Sequence, residues 1–202
     1  NRIQASELQD KGVLANCHVN VLQTQDHPQF KTYGEELKWL TTDKTRMKWV
    51  ANTIKDISSS GNTLILVDRI SAGEILEEQI DNAVFVSGST KNTDRKEQYD
   101  EISTATNKVI IATYGVAAVG INIPRIFNLV LIEPGKSFVR VIQSIGRGIR
   151  KAEDKDSVQI WDITSSCKFA KRHLGARKKF YKEANYPYNI EKINYENPYT
   201  RR

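Results

Sequence analysis

Three observations predict an α/β fold, a mainly parallel sheet with helices on both faces. Apolar runs of four or five residues recur along the chain, segments with helical periodicity separate them, and 202 residues suffice to bury one sizeable core. Cys17 to Leu22 reads as a first strand, followed by a polar stretch, Gln23 to Gly34, with the character of a loop or linker. Thr42 can cap a helix whose apolar positions Met47, Val50, Ile54 and Ile57 recur at helical spacing, and Gly61 ends it. Thr63 to Val67 is apolar throughout, the mark of a strand buried on both faces. Ser71 and Glu74 have the spacing of a capping box for a helix to about Gln79. Ala83 to Val86 is a strand and Thr93 to Ser103 a helix. Lys108 to Ala112, Leu129 to Ile132 and Val158 to Asp162 supply three more strands, with helices around Ala117 and from Ser137 to about Arg150 between them. A basic helix then runs to about Ala184, before a last strand at Tyr188 to Ile193. The predicted division is 1–40 as a linker with an edge strand, 41–165 as the main α/β lobe, and 166–202 as a basic helix and tail.

With 39% hydrophobic and 27% charged residues the chain has a globular composition, and no apolar run reaches the 18 residues that a membrane helix needs. Asn at position 1, with no signal-like segment after it, is expected of a fragment or processed product. Cys17 and Cys167 have no metal-ligand spacing and read as buried thiols; His18, His27 and His173 are scattered, so no metal site is expected. Charge is concentrated at one end. Residues 168–202 hold ten Lys or Arg against three Glu, a balance of +7 out of a total of +6, so the rest of the chain is close to neutral. Such a concentration fits a polyanion contact, with Lys178 and Lys179 as candidates, or a merely solvated helix face. Phe180, Tyr181, Tyr186 and Tyr188 nearby could stack on bases or simply pack.

In parallel sheets ligands gather at the carboxyl ends of strands. Three predicted strands deliver polar residues there: Asp68 and Arg69, Ser87 and Gly88, Thr113 and Tyr114. Hydroxyl, glycine and arginine residues suit a phosphate backbone, although Ser87-Gly88 alone is more often an ordinary turn. Further on, Gln143-Ser-Ile-Gly-Arg147-Gly-Ile-Arg150 sets two arginines three residues apart, where a helix would aim both guanidinium groups at one anion. Gly146 and Gly148 each weaken a helix by about 1 kcal/mol relative to alanine, which suits close approach of a ligand or backbone. A solvated, arginine-bearing helix end is the alternative.

No loop of the form G-x-x-x-x-G-K-[ST] stands anywhere in the sequence, and no predicted strand ends in paired acids. Two arginines cannot by themselves supply metal binding, nucleophile positioning and phosphate grip. The chain alone is therefore not expected to turn over nucleotide, and a small-molecule enzyme on a doubly wound sheet is disfavoured for want of a complete catalytic set.

Val109 to Thr113, followed by a short apolar segment and Gly120-Ile-Asn122-Ile-Pro124, resembles motif V of the superfamily 2 helicases. Gln143 to Arg150 resembles their motif VI in its Q-x-x-G-R-x-x-R form, Asp68-Arg69 their motif IV, and Ser87-Gly88 with Arg95 the block after it. Order and spacing match from about residue 40 to residue 165. The resemblance implies the second, C-terminal RecA-like lobe of a two-lobed motor. It implies that Arg150 acts as arginine finger and Arg147 as its γ-phosphate partner, and that Gln143, Gly120 and Asn122 couple nucleotide to lobe. It implies that Arg69, Gly88 and Thr113 contact the nucleic-acid backbone. ATP with Mg²⁺ would be held mainly by an absent N-terminal RecA-like lobe. The partner would be DNA, with branched DNA and an RNA–DNA hybrid among the candidate forms, remodelled in replication, recombination or repair; no membrane is implied, and the location is cytoplasmic, that of the host cell for a phage protein. Two departures stand out: Asn122 replaces a common Asp, and Ser144 a common Arg. A nucleic-acid-binding or annealing module without motor activity is the alternative.

Overall fold

Short runs rich in Val, Ile and Leu cannot bury both faces unless layers cover each side, and the chain builds that arrangement. The computed structural model describes residues 17–88, 94, 97, 107–119, 126–135, 138, 141–142 and 158–195. Seven strands make one sheet: β1 (Cys17–Thr24), β2 (Thr63–Val67), β3 (Ala83–Val86), β4 (Val109–Thr113), β5 (Asn128–Ile132), β6 (Val158–Ser165) and β7 (Tyr188–Ile193). Their order is β3-β4-β2-β5-β6-β1-β7, and every described pairing is parallel. This is the predicted α/β fold. The first strand, expected at an edge, instead lies between β6 and β7, because the last strand returns from the far end of the sequence to cover its open side.

Among the described residues the full helices between the strands are α1 (Tyr33–Thr42), α2 (Lys44–Ser58), α3 (Ile70–Gln79), α4 (Tyr114–Ala118) and α5 (Lys168–Glu183). On one face Met47, Val50 and Ile54 of α2 and Ala72 and Leu76 of α3 pack on Ile65, Val67, Val130 and Ile163. On the other, Val116 and Ala117 of α4, Leu174, Phe180 and Tyr181 of α5, and the buried helical residues Phe138, Val141 and Ile142 pack on Leu64, Leu66, Ile110 and Leu131. Alternate residues of β2 thus feed the two cores, as the pleat dictates.

Three local expectations are corrected. Gln25 to Thr32 is a loop, close to the expected one, but the region 1–40 is not all linker and edge strand: Thr32 accepts a hydrogen bond from the Glu35 N–H at 3.2 Å and starts α1. Asp43, not Thr42, caps α2, accepting from the Arg46 N–H at 3.0 Å, while Thr42 ends α1 and donates back to the Lys38 carbonyl at 2.6 Å. No capping box opens α3, which begins at Ile70 with Arg69 at its cap and no side-chain cap bond; Ser71 already lies inside the helix. Of the expected helix at Thr93 to Ser103 only Asp94 and Glu97 are described, both helical, and of the one at Ser137 to Arg150 only Phe138, Val141 and Ile142; the rest of both lies outside the described residues.

Candidate nucleic-acid interface

Strands β3, β4 and β2 are neighbours that end almost flush, with Val67 opposite Thr113 and Val86 opposite Ala112. Their carboxyl ends therefore bring three of the predicted site residues, Arg69, Gly88 and Thr113, to one edge. Thr113 ends β4 in extended geometry (φ −77°, ψ 156°) and caps α4, its Oγ1 accepting from the Val116 N–H at 3.2 Å. That bond uses a lone pair, and among the described residues the O–H has no acceptor, so it can donate to a phosphate oxygen. Arg69 caps α3 by its backbone alone, so its guanidinium is not consumed by the helix. Its Nη2 donates to the Gly34 carbonyl at 3.3 Å, and Nε stands 3.9 Å from the Asp68 carboxylate. With 38% and 47% of the two side chains exposed, this pair is a weak, solvent-screened one. Gly88 is exposed, and a Cβ built there would meet nothing within 4 Å among the described residues, which leaves its backbone open on their side.

Behind this edge lie buried charges that sequence reasoning missed. Glu133, just past β5, sits in the left-handed region (φ 45°), uncommon for a residue with a side chain. Its carboxylate accepts from Arg46 Nη2 at 2.7 Å and from the Thr164 hydroxyl at 3.2 Å. Burial pushes its carboxyl up to about 7, against the pull of Arg46 and Arg177. Arg46 is fully buried and also donates to the Thr24 hydroxyl and to the Leu40 and Thr164 carbonyls. A second cluster anchors α5: Arg177 grips Asp162 with two bonds of 2.8 Å and donates to the Gly135 carbonyl at 3.3 Å, while the Tyr181 hydroxyl donates to Asp162 at 2.7 Å. Burial, then Asp162, holds the Tyr181 phenol well above its ordinary value. The one sequence signal pointing toward these networks is Glu133-Pro134-Gly135 directly after an apolar strand.

The remaining predicted residues divide. Gln143, Arg147, Arg150, Gly120 and Asn122, with Arg95, lie outside the described residues; Phe138, Val141 and Ile142, upstream of Gln143, are seated in the core beside α4. Lys179 is exposed on α5, and Lys178 is half-buried on its flank. The aromatic residues resolve as packing. Phe180, Tyr181 and Tyr186 are buried, with Phe180 edge-on to Phe138 at 5.2 Å between ring centroids and to Tyr186 at 5.9 Å, so none of the three offers a stacking surface. Both cysteines are buried, and burial pushes the Cys17 thiol up to about 12 and that of Cys167 to about 11. Among the described residues no helix is long and apolar enough to cross a membrane.

Residues 45–152 match the family model described as helicase conserved C-terminal domain. The chain is 27% identical over 189 residues to the ATP-dependent DNA helicase uvsW of Enterobacteria phage T4, a match covering 88% of this chain and 38% of that protein. The crystal structure of T4 UvsW superposes with a TM-score of 0.74 at 24% identity, over 89% of this chain and 42% of that one. The E. coli DEAD-box protein SrmB shares the fold, with a TM-score of 0.60 at 18% identity over 89% and 92% of the respective chains. This chain thus spans about two fifths of its phage relative.

Proposed function

The chain belongs to the helicase conserved C-terminal domain family, with the RecA-like fold of superfamily 2 helicase C-terminal lobes, and from that premise we propose that it is the second motor lobe of an ATP-dependent DNA helicase or translocase. It would remodel duplex or branched DNA in replication, recombination or repair. The observation that carries this reading is the convergence of Arg69, Gly88 and Thr113 at one sheet edge, all within the stretch that matches the family. A hydroxyl donor, a guanidinium and an open backbone at that edge suit sugar-phosphate contacts, which fix position without reading sequence.

Arg147 and Arg150 supply the other half of the proposal. Set three residues apart, they would present two permanently charged forks to the γ-phosphate of a nucleotide held, with its Mg²⁺, by an N-terminal RecA-like lobe. Gln143, Gly120 and Asn122 would tie that contact to Thr113. Asn122 offers hydrogen bonds where an acid would offer charge, so its contribution is directional rather than ionic. Closure of the two lobes would shift one backbone grip past the other.

The test is Arg150→Ala in the full-length protein. ATP binding should persist while turnover falls about 10³- to 10⁵-fold, the range seen for arginine fingers. Unchanged turnover removes Arg150 from this role. DNA binding by the chain with no ATP turnover even when the N-terminal lobe is present would favour the binding-module reading instead.

A further inference from the structure

We infer that the outward face of α5 is a second docking surface, built for the phosphate backbone of B-form duplex DNA and separate from the motif residues. The inference rests on the nucleic-acid reading above and names where and how the duplex is held. At 3.6 residues per turn, Lys168, Arg172, Gly175, Lys179 and Lys182 fall within an arc of about 80°, opposite the buried residues Ala170, Leu174, Arg177 and Tyr181. All five are exposed. The stripe is about 21 Å long, at 1.5 Å per residue. Its single acidic neighbour on the helix is Glu183 at the C-terminal end.

Three features separate this face from an ordinary solvated helix. First, its orientation is fixed from beneath: Arg177, unlike the other basic residues of α5, is withdrawn into the core by Asp162, and the Glu36 carboxylate, itself buried, accepts from the Phe169 and Ala170 N–H groups at 3.0 and 2.8 Å. The helix can neither roll nor fray at its start. Second, a glycine stands mid-stripe. Gly175 is a poor helix former, yet a Cβ there would meet nothing within 4 Å, so no neighbour among the described residues requires its absence. A bare backbone between Arg172 and Lys179 suits a ligand that comes close along the helix axis. Third, the stripe joins the candidate interface. Arg69 donates to the Gly34 carbonyl, and the adjoining Tyr33 ring lies 4.7 Å from His173 and 6.2 Å from Phe169, beside Lys168 and Arg172. Both of those cations also lie over the Phe169 ring, at 5.4 and 5.6 Å.

Duplex rather than single-stranded nucleic acid is the fitting occupant, because single-strand sites use free rings for base stacking: Phe180, Tyr181 and Tyr186 face inward, and the Tyr33 and Phe169 rings beside the stripe are taken up by each other, by His173 and by the two cations. B-form rather than A-form follows from shape: a straight helix can lie against the wide major groove and its phosphate rims, whereas the major groove of an RNA duplex is deep and narrow.

The experiment measures binding of a fluorescein-labelled DNA duplex of about two helical turns to the full chain across a salt series, with a duplex RNA of the same sequence in parallel. Arg172→Gln with Lys179→Gln should weaken DNA binding about tenfold and flatten the log–log salt slope by about 2, one for each phosphate no longer neutralised. Gly175→Gln should weaken binding while raising the thermal midpoint, which separates hindered approach from impaired folding. Thr113→Ala is the reference for the motif interface. If it weakens binding and the α5 variants do not, the docking surface is wrong and the motor reading stands; if only the α5 variants weaken binding, the surface stands and the motif grip fails. Equal losses on duplex RNA, or a Gly175→Gln protein that binds normally, would overturn the inference.

Discussion

Arg177→Met removes the guanidinium that clamps α5 to β6, and the structure sets the scale of the loss. Asp162 has 0% and Arg177 1% of its side chain exposed, and the two share a bidentate contact. Deleting one member of such a pair leaves an uncompensated charge in the interior, at a cost of about 3–5 kcal/mol. Here Asp162 would keep, among the described residues, only the Tyr181 hydroxyl, and the Gly135 carbonyl would be deprived of its Arg177 donor. Domains of this kind are stable by about 5–15 kcal/mol, so the single change removes a large share. With a urea slope of about 2 kcal/mol/M, the unfolding midpoint should fall by about 1.5–2.5 M. Arg177→Met combined with Asp162→Leu and Tyr181→Phe deletes every polar side chain of the cluster and should recover most of the loss, since an apolar replacement of a buried pair is often neutral. Urea titration followed by tryptophan fluorescence reads both. A single variant within about 1 kcal/mol of the parent, or a triple variant no better than the single, would refute the assignment of Arg177 as an interior anchor.

Two further outcomes follow from the same geometry. Glu133 has its carboxyl raised from 4.5 to about 7 by burial. The native state therefore holds that proton where the unfolded chain has released it, and stability should decline by on the order of 2–3 kcal/mol as pH rises from 4.5 to 7; Glu133→Gln should abolish this dependence in urea midpoints taken at pH 5 and 7.5. Gly73→Ala should destabilise by about 1–3 kcal/mol in the same assay, since a Cβ there would lie 2.5 Å from the Phe85 ring, so that either the ring leaves its place against α3 or the helix shifts.

The parts of the fold legible in the sequence are those with one dominant physical cause. Thr63 to Val67 is readable to the residue because such an unbroken run admits few placements but a strand covered on both sides. The strand ends carrying Arg69, Gly88 and Thr113 come with it. Helix α1 is hidden because Glu36, a polar residue, takes a buried place in it beside Leu37 and Leu40, which breaks the apolar pattern; the signal that could reveal it is the cap at Thr32, whose hydroxyl accepts from the Glu35 N–H. Arg177 counts among the surface cations of the tail for a related reason. A tally of charges cannot register burial, and its partner Asp162 belongs to another element. The place of β1 inside the sheet depends on β7, at the opposite end of the sequence, where Val21 pairs with Ile190, and no local pattern encodes that.

ATP turnover by the purified 202-residue chain, alone and with the N-terminal lobe added in trans, tests the central claim most directly. Half a catalytic site should give no turnover by itself and DNA-stimulated turnover on reconstitution, lost again with Arg150→Ala. Hydrolysis at an ordinary enzymatic rate by the isolated chain would contradict the account.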